Sequence, residues 1–208
     1  MKITKPLDNI LNTEAKTKIL RFLCRTGAEW NGSQVAKEIG MTPAATHSAL
    51  NELVKEGIIL MRNMSNSHVY TLNENNYIVS DLLKPLFLKE DRVLNKIVGI
   101  IKRNLALSGI RNNILSVSLF GSVNIKQDHP TSDIDLAVIV SDAKIKSKVE
   151  KLFEKIDEKV SRKFGNTISP YINTKSEFKT KHKKKLGVIK NILKSPTLIY
   201  GERIERII

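Results

Sequence analysis

A single cysteine, no apolar run near the roughly 20 residues that a membrane span needs, and a shortage of acids mark this 208-residue chain. One cysteine excludes an internal disulfide. Cys24 stands among Ile19, Leu20 and Leu23, a setting for a core side chain rather than a reactive thiol. The start, Met1-Lys2-Ile3-Thr4-Lys5-Pro6, has no apolar segment of the kind a signal peptide carries. Together these features exclude a membrane partner and imply a cytoplasmic protein. Acids number 21 against 35 bases, a net charge of +14 that favours polyanionic partners. The excess is uneven: residues 77–208 hold 26 of the bases and 14 of the acids. It is densest at Lys181-His182-Lys183-Lys184-Lys185, which reads either as a solvated helix face or as a contact for nucleic acid, nucleotide or an acidic partner.

The length suits one large domain or two small ones, and a mid-chain change of pattern favours two. In the first, Glu14 to Thr26 shows one-sided helical spacing that Gly27 can end. Ser33 to Ile39 reads as a second helix, with Ser33 as cap and Gly40 as stop. Thr42 caps a third with Pro43 at its first position. Along that third helix Thr46, Ala49, Leu50, Leu53 and Val54 form one buried face, leaving Ala44, His47, Ser48 and Asn51 on the other. Ile58 to Asn63 and His68 to Leu72 read as strands around the polar turn Met64-Ser65-Asn66-Ser67. This order over residues 9–74 resembles the winged helix-turn-helix regulators of bacteria and archaea. The resemblance implies double-stranded DNA as partner, with the free face of the third helix toward base edges and Arg62 and His68 in the wing near phosphate or the minor groove. That face has no arginine, the side chain suited to guanine, so readout would lean on shape and phosphate contacts.

From about Asp81 to Leu107 the chain keeps helical spacing with Pro85 inside it, which predicts a short helix, a kink or break, and then a long helix. This stripe packs either on the second domain's sheet or across a homodimer. The expected division is therefore 1–76, a linker helix at 77–90, and 91–208.

In the second domain an apolar strand, Ile114 to Phe120, runs into Gly121-Ser122, and ten residues later Asp133-Ile134-Asp135-Leu136 enters the strand Ala137 to Val140. Strand, Gly-Ser, a spacer near ten and Asp-x-Asp resemble the DNA polymerase β superfamily of nucleotidyltransferases, and the small "minimal" prokaryotic members most of all. Strand alternation turns Asp133 and Asp135 the same way, where two repelling carboxylates suit Mg²⁺ or Mn²⁺ on the phosphates of a nucleoside triphosphate (NTP). The resemblance implies that Gly121 admits the triphosphate, that Ser122 and nearby amides hold its β- and γ-phosphates, and that a nucleoside monophosphate passes to a hydroxyl as pyrophosphate leaves. A helix from Ala143 to Phe164, a strand from Thr167 to Thr174, a helix capped by Ser176 and a strand from Thr197 to Tyr200 complete the expected fold. That fold is α+β: a winged helix-turn-helix of three helices and a β-hairpin, then a polymerase β-like α/β domain with a small mixed sheet.

Active members of that superfamily usually bring a third acid from the third strand. Ile168 to Thr174 contains none, Asn173 being its nearest substitute, and Glu177 just beyond is better placed to cap a helix. Three readings stay open: a DNA-targeted nucleotidyltransferase acting on a protein or small-molecule hydroxyl, a regulator whose second domain binds a ligand or partner without transfer, and an antitoxin acting on a separate toxin.

Overall fold

The computed structural model describes residues 2–64 and 67–208 and divides into two units, Met1–Val93 and Leu94–Ile208. Ser65 and Asn66 of the expected wing turn lie outside the described residues. Among the described residues no helix is long and apolar enough to cross a membrane.

The first unit runs α1 (Leu7–Ile10), α2 (Glu14–Thr26), β1 (Trp30–Asn31), α3 (Gly32–Ile39), α4 (Pro43–Lys55), β2 (Ile59–Met64) and β3 (Ser67–Leu72). This is a winged helix-turn-helix. The Thr13 side chain caps α2, and Gly27 closes it in the left-handed region. For α3 the cap is Asn31 rather than Ser33: Asn31 Oδ1 accepts from Gln34 N at 2.8 Å while Gln34 Oε1 accepts from Asn31 N at 3.1 Å. Two orphan amides are satisfied there at once, which Ser33 alone cannot do. Thr42 and Pro43 open α4 as expected. The wing sheet has a third member, since β1 pairs antiparallel with β3. Ile19, Leu20, Leu23, Leu50, Leu53 and Ile58 are fully or almost fully buried, and Cys24 packs beside them with its thiol pushed up to about 11 by burial. The buried Lys16 ammonium ties α1, α2 and α4 together through Asn9 O (2.6 Å), Asn12 Oδ1 (3.0 Å) and Glu52 (2.7 Å).

The segment expected to be a linker belongs to this core instead. Ile78, Val79, Leu83 and Phe87 are buried against it, while Leu82 and Leu86 are exposed. Pro85 causes no break either. A π-helical stretch, Ile78–Leu83, hands over directly to α5 (Lys84–Glu90), with Lys84 N bonded to Val79 O. Proline then falls in a first turn, where its missing N–H costs nothing. Arg21 and Arg25 on α2 hold the end of α5 through Glu90 and Asp91.

The second unit comprises α6 (Val93–Leu107), β4 (Ile114–Leu119), α7 (Gly121–Asn124), β5 (Ile134–Val140), α8 (Lys146–Phe164), β6 (Ile168–Thr174), α9 (Lys175–Lys183), α10 (Gly187–Lys194), β7 (Thr197–Gly201) and α11 (Ile204–Ile207). Its sheet has the order β6-β5-β4-β7, with β5 and β6 parallel and the other pairs antiparallel. Alternation splits β5 between two cores. Leu136, Val138 and Val140 meet α6 and α8 residues such as Ile101, Phe153 and Ile156. Ala137 and Ile139 meet Phe178, Ile189, Ile192 and Ile204. The helix expected after β6 is two helices, parted at Lys185 (φ 53°), and its cap is Thr174 rather than Ser176.

Candidate functional site

The apolar strand β4 ends at Leu119, whose register partner on β5 is Leu136, so Phe120 and Asp135 lie opposite, and Phe120 N donates to Asp135 O at 3.1 Å. The chain then turns through Gly121 at φ 77° into the short α7. A methyl group built on Gly121 would collide with Asp135 Oδ2 and sit 3.1 Å from its Cγ. The Asp135 carboxylate therefore lies directly over the Gly-Ser turn. The spacer folds back on that turn, with Gln127 N donating to Ser122 O at 2.9 Å, while Asn124 Nδ2 of α7 donates to Ser195 O at the end of α10 at 2.5 Å.

Asp133 precedes β5, exposed, and accepts a hydrogen bond from the Thr167 hydroxyl just before β6. Asp135 is half-buried, and its carboxyl is held above the usual range, first by burial and then by the negative charge of Asp133. Among the described residues no cation is found to offset that pressure. A divalent ion suits such a pair, because Mg²⁺ commonly takes only one or two carboxylates and completes its shell with phosphates and water. Among the described residues no three His, Cys, Asp or Glu side chains gather as a metal site.

Uncompensated charge has a measurable cost. An acid with a raised folded-state pKa loses stability as pH climbs through that value and has none to lose below its unfolded pKa. Asp135→Asn is therefore expected to raise the Tm near neutral pH, by roughly 1–3 °C, and to leave it unchanged below about pH 4. Thermal unfolding at both pH values checks this; an unchanged Tm at neutral pH contradicts it.

On Asp135's face of the sheet the neighbouring positions of β6 are Ser169, Tyr171 and Asn173, and none is acidic. Glu177 closes a capping box with Thr174 and bonds Lys146 at 2.9 Å. The Thr174 amide and then the Lys146 ammonium hold its carboxyl below the usual range. Sequence reasoning missed what does occupy the β6 face. Lys181 reaches back from α9 to Tyr171 Oη (3.1 Å) and Asn173 Oδ1 (2.5 Å), its ammonium 4.8 Å from the Tyr171 ring centre. Lys181 had drawn notice only as one member of a charge run, and no spacing rule joins it to a strand eight residues earlier.

In the first unit, Ala44, His47, Ser48 and Asn51 of α4 line an open cleft of about 910 Å³ with His68 of β3. His47 Nδ1 lies 3.2 Å from Asn51 Nδ2, and His68 Nδ1 lies 2.7 Å from Asn63 Oδ1. Arg62 does not line the cleft; its guanidinium is engaged by Glu29 at 2.5 Å.

Residues 95–205 match the family model described as polymerase beta, nucleotidyltransferase. No curated protein matches the chain. Among solved structures, the homodimeric winged helix-turn-helix DNA-binding domain of a possible ArsR-family transcriptional regulator from Mycobacterium bovis is 18% identical, over 42% of this chain and 77% of its own, with a TM-score of 0.35. The transcriptional repressor BigR from Xylella fastidiosa is 18% identical over 40% and 81%, TM-score 0.35. HlyU from Vibrio cholerae is 20% identical over 42% and 86%, TM-score 0.34.

Proposed function

The chain belongs to the polymerase beta nucleotidyltransferase family, and on that premise we propose that its second unit binds an NTP with Mg²⁺ or Mn²⁺ and transfers the nucleoside monophosphate to a hydroxyl. The observation that carries this reading is the Asp135 carboxylate, half-buried, beside Asp133 and directly over Gly121. Asp133 and Asp135 would hold the ion, which supplies charge neutralisation at the reacting phosphates. Gly121 leaves room for the triphosphate to approach the backbone, and the Ser122 hydroxyl and neighbouring amides would donate to the β- and γ-phosphates. The oxygen of the acceptor hydroxyl, on a protein or a small molecule, bonds to the α-phosphorus and releases its proton to solvent, as the link to the β-phosphate breaks and pyrophosphate leaves.

Incubating the chain with labelled NTPs, Mg²⁺ and a cell extract tests the reading. Label should appear on an acceptor with the native chain and fall by at least about 100-fold with Asp133→Ala/Asp135→Ala. A second reading, nucleotide binding without efficient transfer, is favoured by one feature: the β6 face presents Ser169, Tyr171 and Asn173, with Lys181 on the latter two, where the family usually supplies an acid. Metal-dependent NTP binding with no labelled product would select it.

The first unit would place the chain on double-stranded DNA, as a transcriptional regulator does, using Ala44, His47, Ser48, Asn51 and His68 around the α4 cleft. Arg62 would act only after release from Glu29. On a duplex selected from a random library, His47→Ala/Asn51→Ala is expected to cut discrimination over scrambled sequence by roughly tenfold or more. An unchanged preference in a mobility-shift titration counts against this assignment.

A further inference from the structure

The charge of the chain is divided very unequally between its two units. Residues 1–93 hold 12 bases and 10 acids, a net +2, whereas residues 94–208 hold 23 and 11, a net +12. The cleft proposed to read DNA is lined by neither lysine nor arginine. Electrostatic attraction to a polyanion is therefore concentrated in the second unit.

Within that unit the excess has a focus. From Phe178 to Gly201 there are seven lysines and no aspartate or glutamate. Lys181 is turned inward to Tyr171 and Asn173, but Lys183, Lys184, Lys185, Lys190 and Lys194 are exposed. Among the described residues none of these five forms an ion pair. Where α9 gives way to α10 there is a cleft of about 560 Å³, in which His182, Lys185, Lys190 and Lys194 surround an apolar floor including Leu186 and Leu193. No acid and no Phe, Tyr or Trp lines it.

We propose that this α9–α10 corner is a second nucleic-acid contact, binding the phosphodiester backbone without regard to sequence. Lys190 and Lys194 lie four residues apart on one helix, about 6 Å along its axis, close to the advance of two nucleotides at about 3.4 Å each. Lysine supplies point charge rather than planar, base-matching donors, and with His182 as the one ring in its lining, and no Phe, Tyr or Trp, the corner is suited to phosphate more than to stacking successive bases. Lys185 adds to the argument: it closes α9 at φ 53°, in a position where glycine is the unstrained residue, and it carries a positive charge into the cleft wall. Through Phe178, Ile189 and Ile192, α9 and α10 pack on the sheet face that also bears Asp135. The contact is independent of nucleotidyl transfer and stands whether or not that reaction occurs.

The test uses the full chain, with fluorescence anisotropy on a mixed-sequence DNA duplex and on a single-stranded RNA across a KCl series. Against the native chain, Lys185→Gly/Lys190→Gln/Lys194→Gln should flatten the slope of log K against log salt by about 2.7 on duplex or about 2.1 on single strand. The substrate that responds identifies the source of the backbone. Lys185→Gly alone should lose about 0.9 on duplex while keeping or raising the Tm, which separates lost charge from lost fold. Should the triple variant unfold, Lys190→Gln/Lys194→Gln is read in its place, with about 1.8 expected on duplex. Unchanged slopes on both nucleic acids overturn the proposal. So does displacement of either probe by polyglutamate as effectively as by unlabelled nucleic acid, which would make an acidic polypeptide the partner.

Discussion

Gly121→Ala is expected to reduce metal-dependent NTP binding and any nucleotidyl transfer by about 100-fold while leaving the second unit folded. Two effects act at this position, and they differ in size. The left-handed backbone at φ 77° costs an alanine about 1 kcal/mol, which a packed domain absorbs. The added methyl also meets Asp135 Oδ2 head-on, with Cγ at 3.1 Å and Cβ at 3.3 Å. The obstructing atoms belong to a side chain, so Asp135 can rotate away and the sheet need not move. What is lost is the carboxylate's position over the turn, on which the proposed metal and triphosphate binding depends. Calorimetric titration with each NTP and Mg²⁺, beside thermal unfolding, separates the two effects. Native affinity in a folded Gly121→Ala chain would falsify the assignment of this turn as the phosphate seat.

The parts of this site legible in the sequence were those that periodicity controls. Ile114 to Phe120 and Ile134 to Val140 are strands because each is a short apolar run, and period two then decides that Asp135 shares a face with Ala137 and Ile139. The helix α8 was legible because Val149, Phe153, Ile156 and Val160 return at helical spacing, and all four are buried. Contacts that join distant elements by side-chain reach were not legible. Lys181 lying on Tyr171 and Asn173 depends on how α9 docks, and the charge run around it points to solvent instead. Some misreadings had local causes. β1 is two residues long, too short to display any period, and only its pairing with β3 reveals it. The cap of α3 was readable, since Asn31 with Gln34 three residues on is a reciprocal capping pattern, but Ser33 drew attention first. Pro85 suggested a break because a π-turn that disposes of its missing amide leaves no mark in the spacing. The segment 78–90 joined the first unit because Leu83 and Phe87 found a core there, whereas its apolar stripe alone did not say which core.

Gly201→Ala, at another positive-φ glycine of the second unit, is expected to have the opposite balance: severe loss of stability, roughly 3 kcal/mol or more, without any direct effect on the carboxylates. Gly201 ends β7 at φ 79° and pairs with Ser116 on β4. A methyl built there would run into Leu115 O, with Leu115 C at 2.8 Å and Ser116 Cα at 3.3 Å. These are backbone atoms of an inner strand, so no rotamer change relieves the collision. The Leu115 carbonyl also accepts from Glu202 N at 2.9 Å, and pushing the strands apart would break that bond as well. β4 is held on its other side by β5, so displacement is resisted by the antiparallel ladder that sets Phe120 opposite Asp135. Urea unfolding should show the midpoint of the second unit falling far below that of Gly121→Ala. The comparison carries its own control. If the two alanine variants were equally destabilised, the distinction between a yielding side chain at Gly121 and an unyielding backbone at Gly201 would be wrong, and with it the inference that the Gly-Ser turn is shaped for a ligand rather than for the fold.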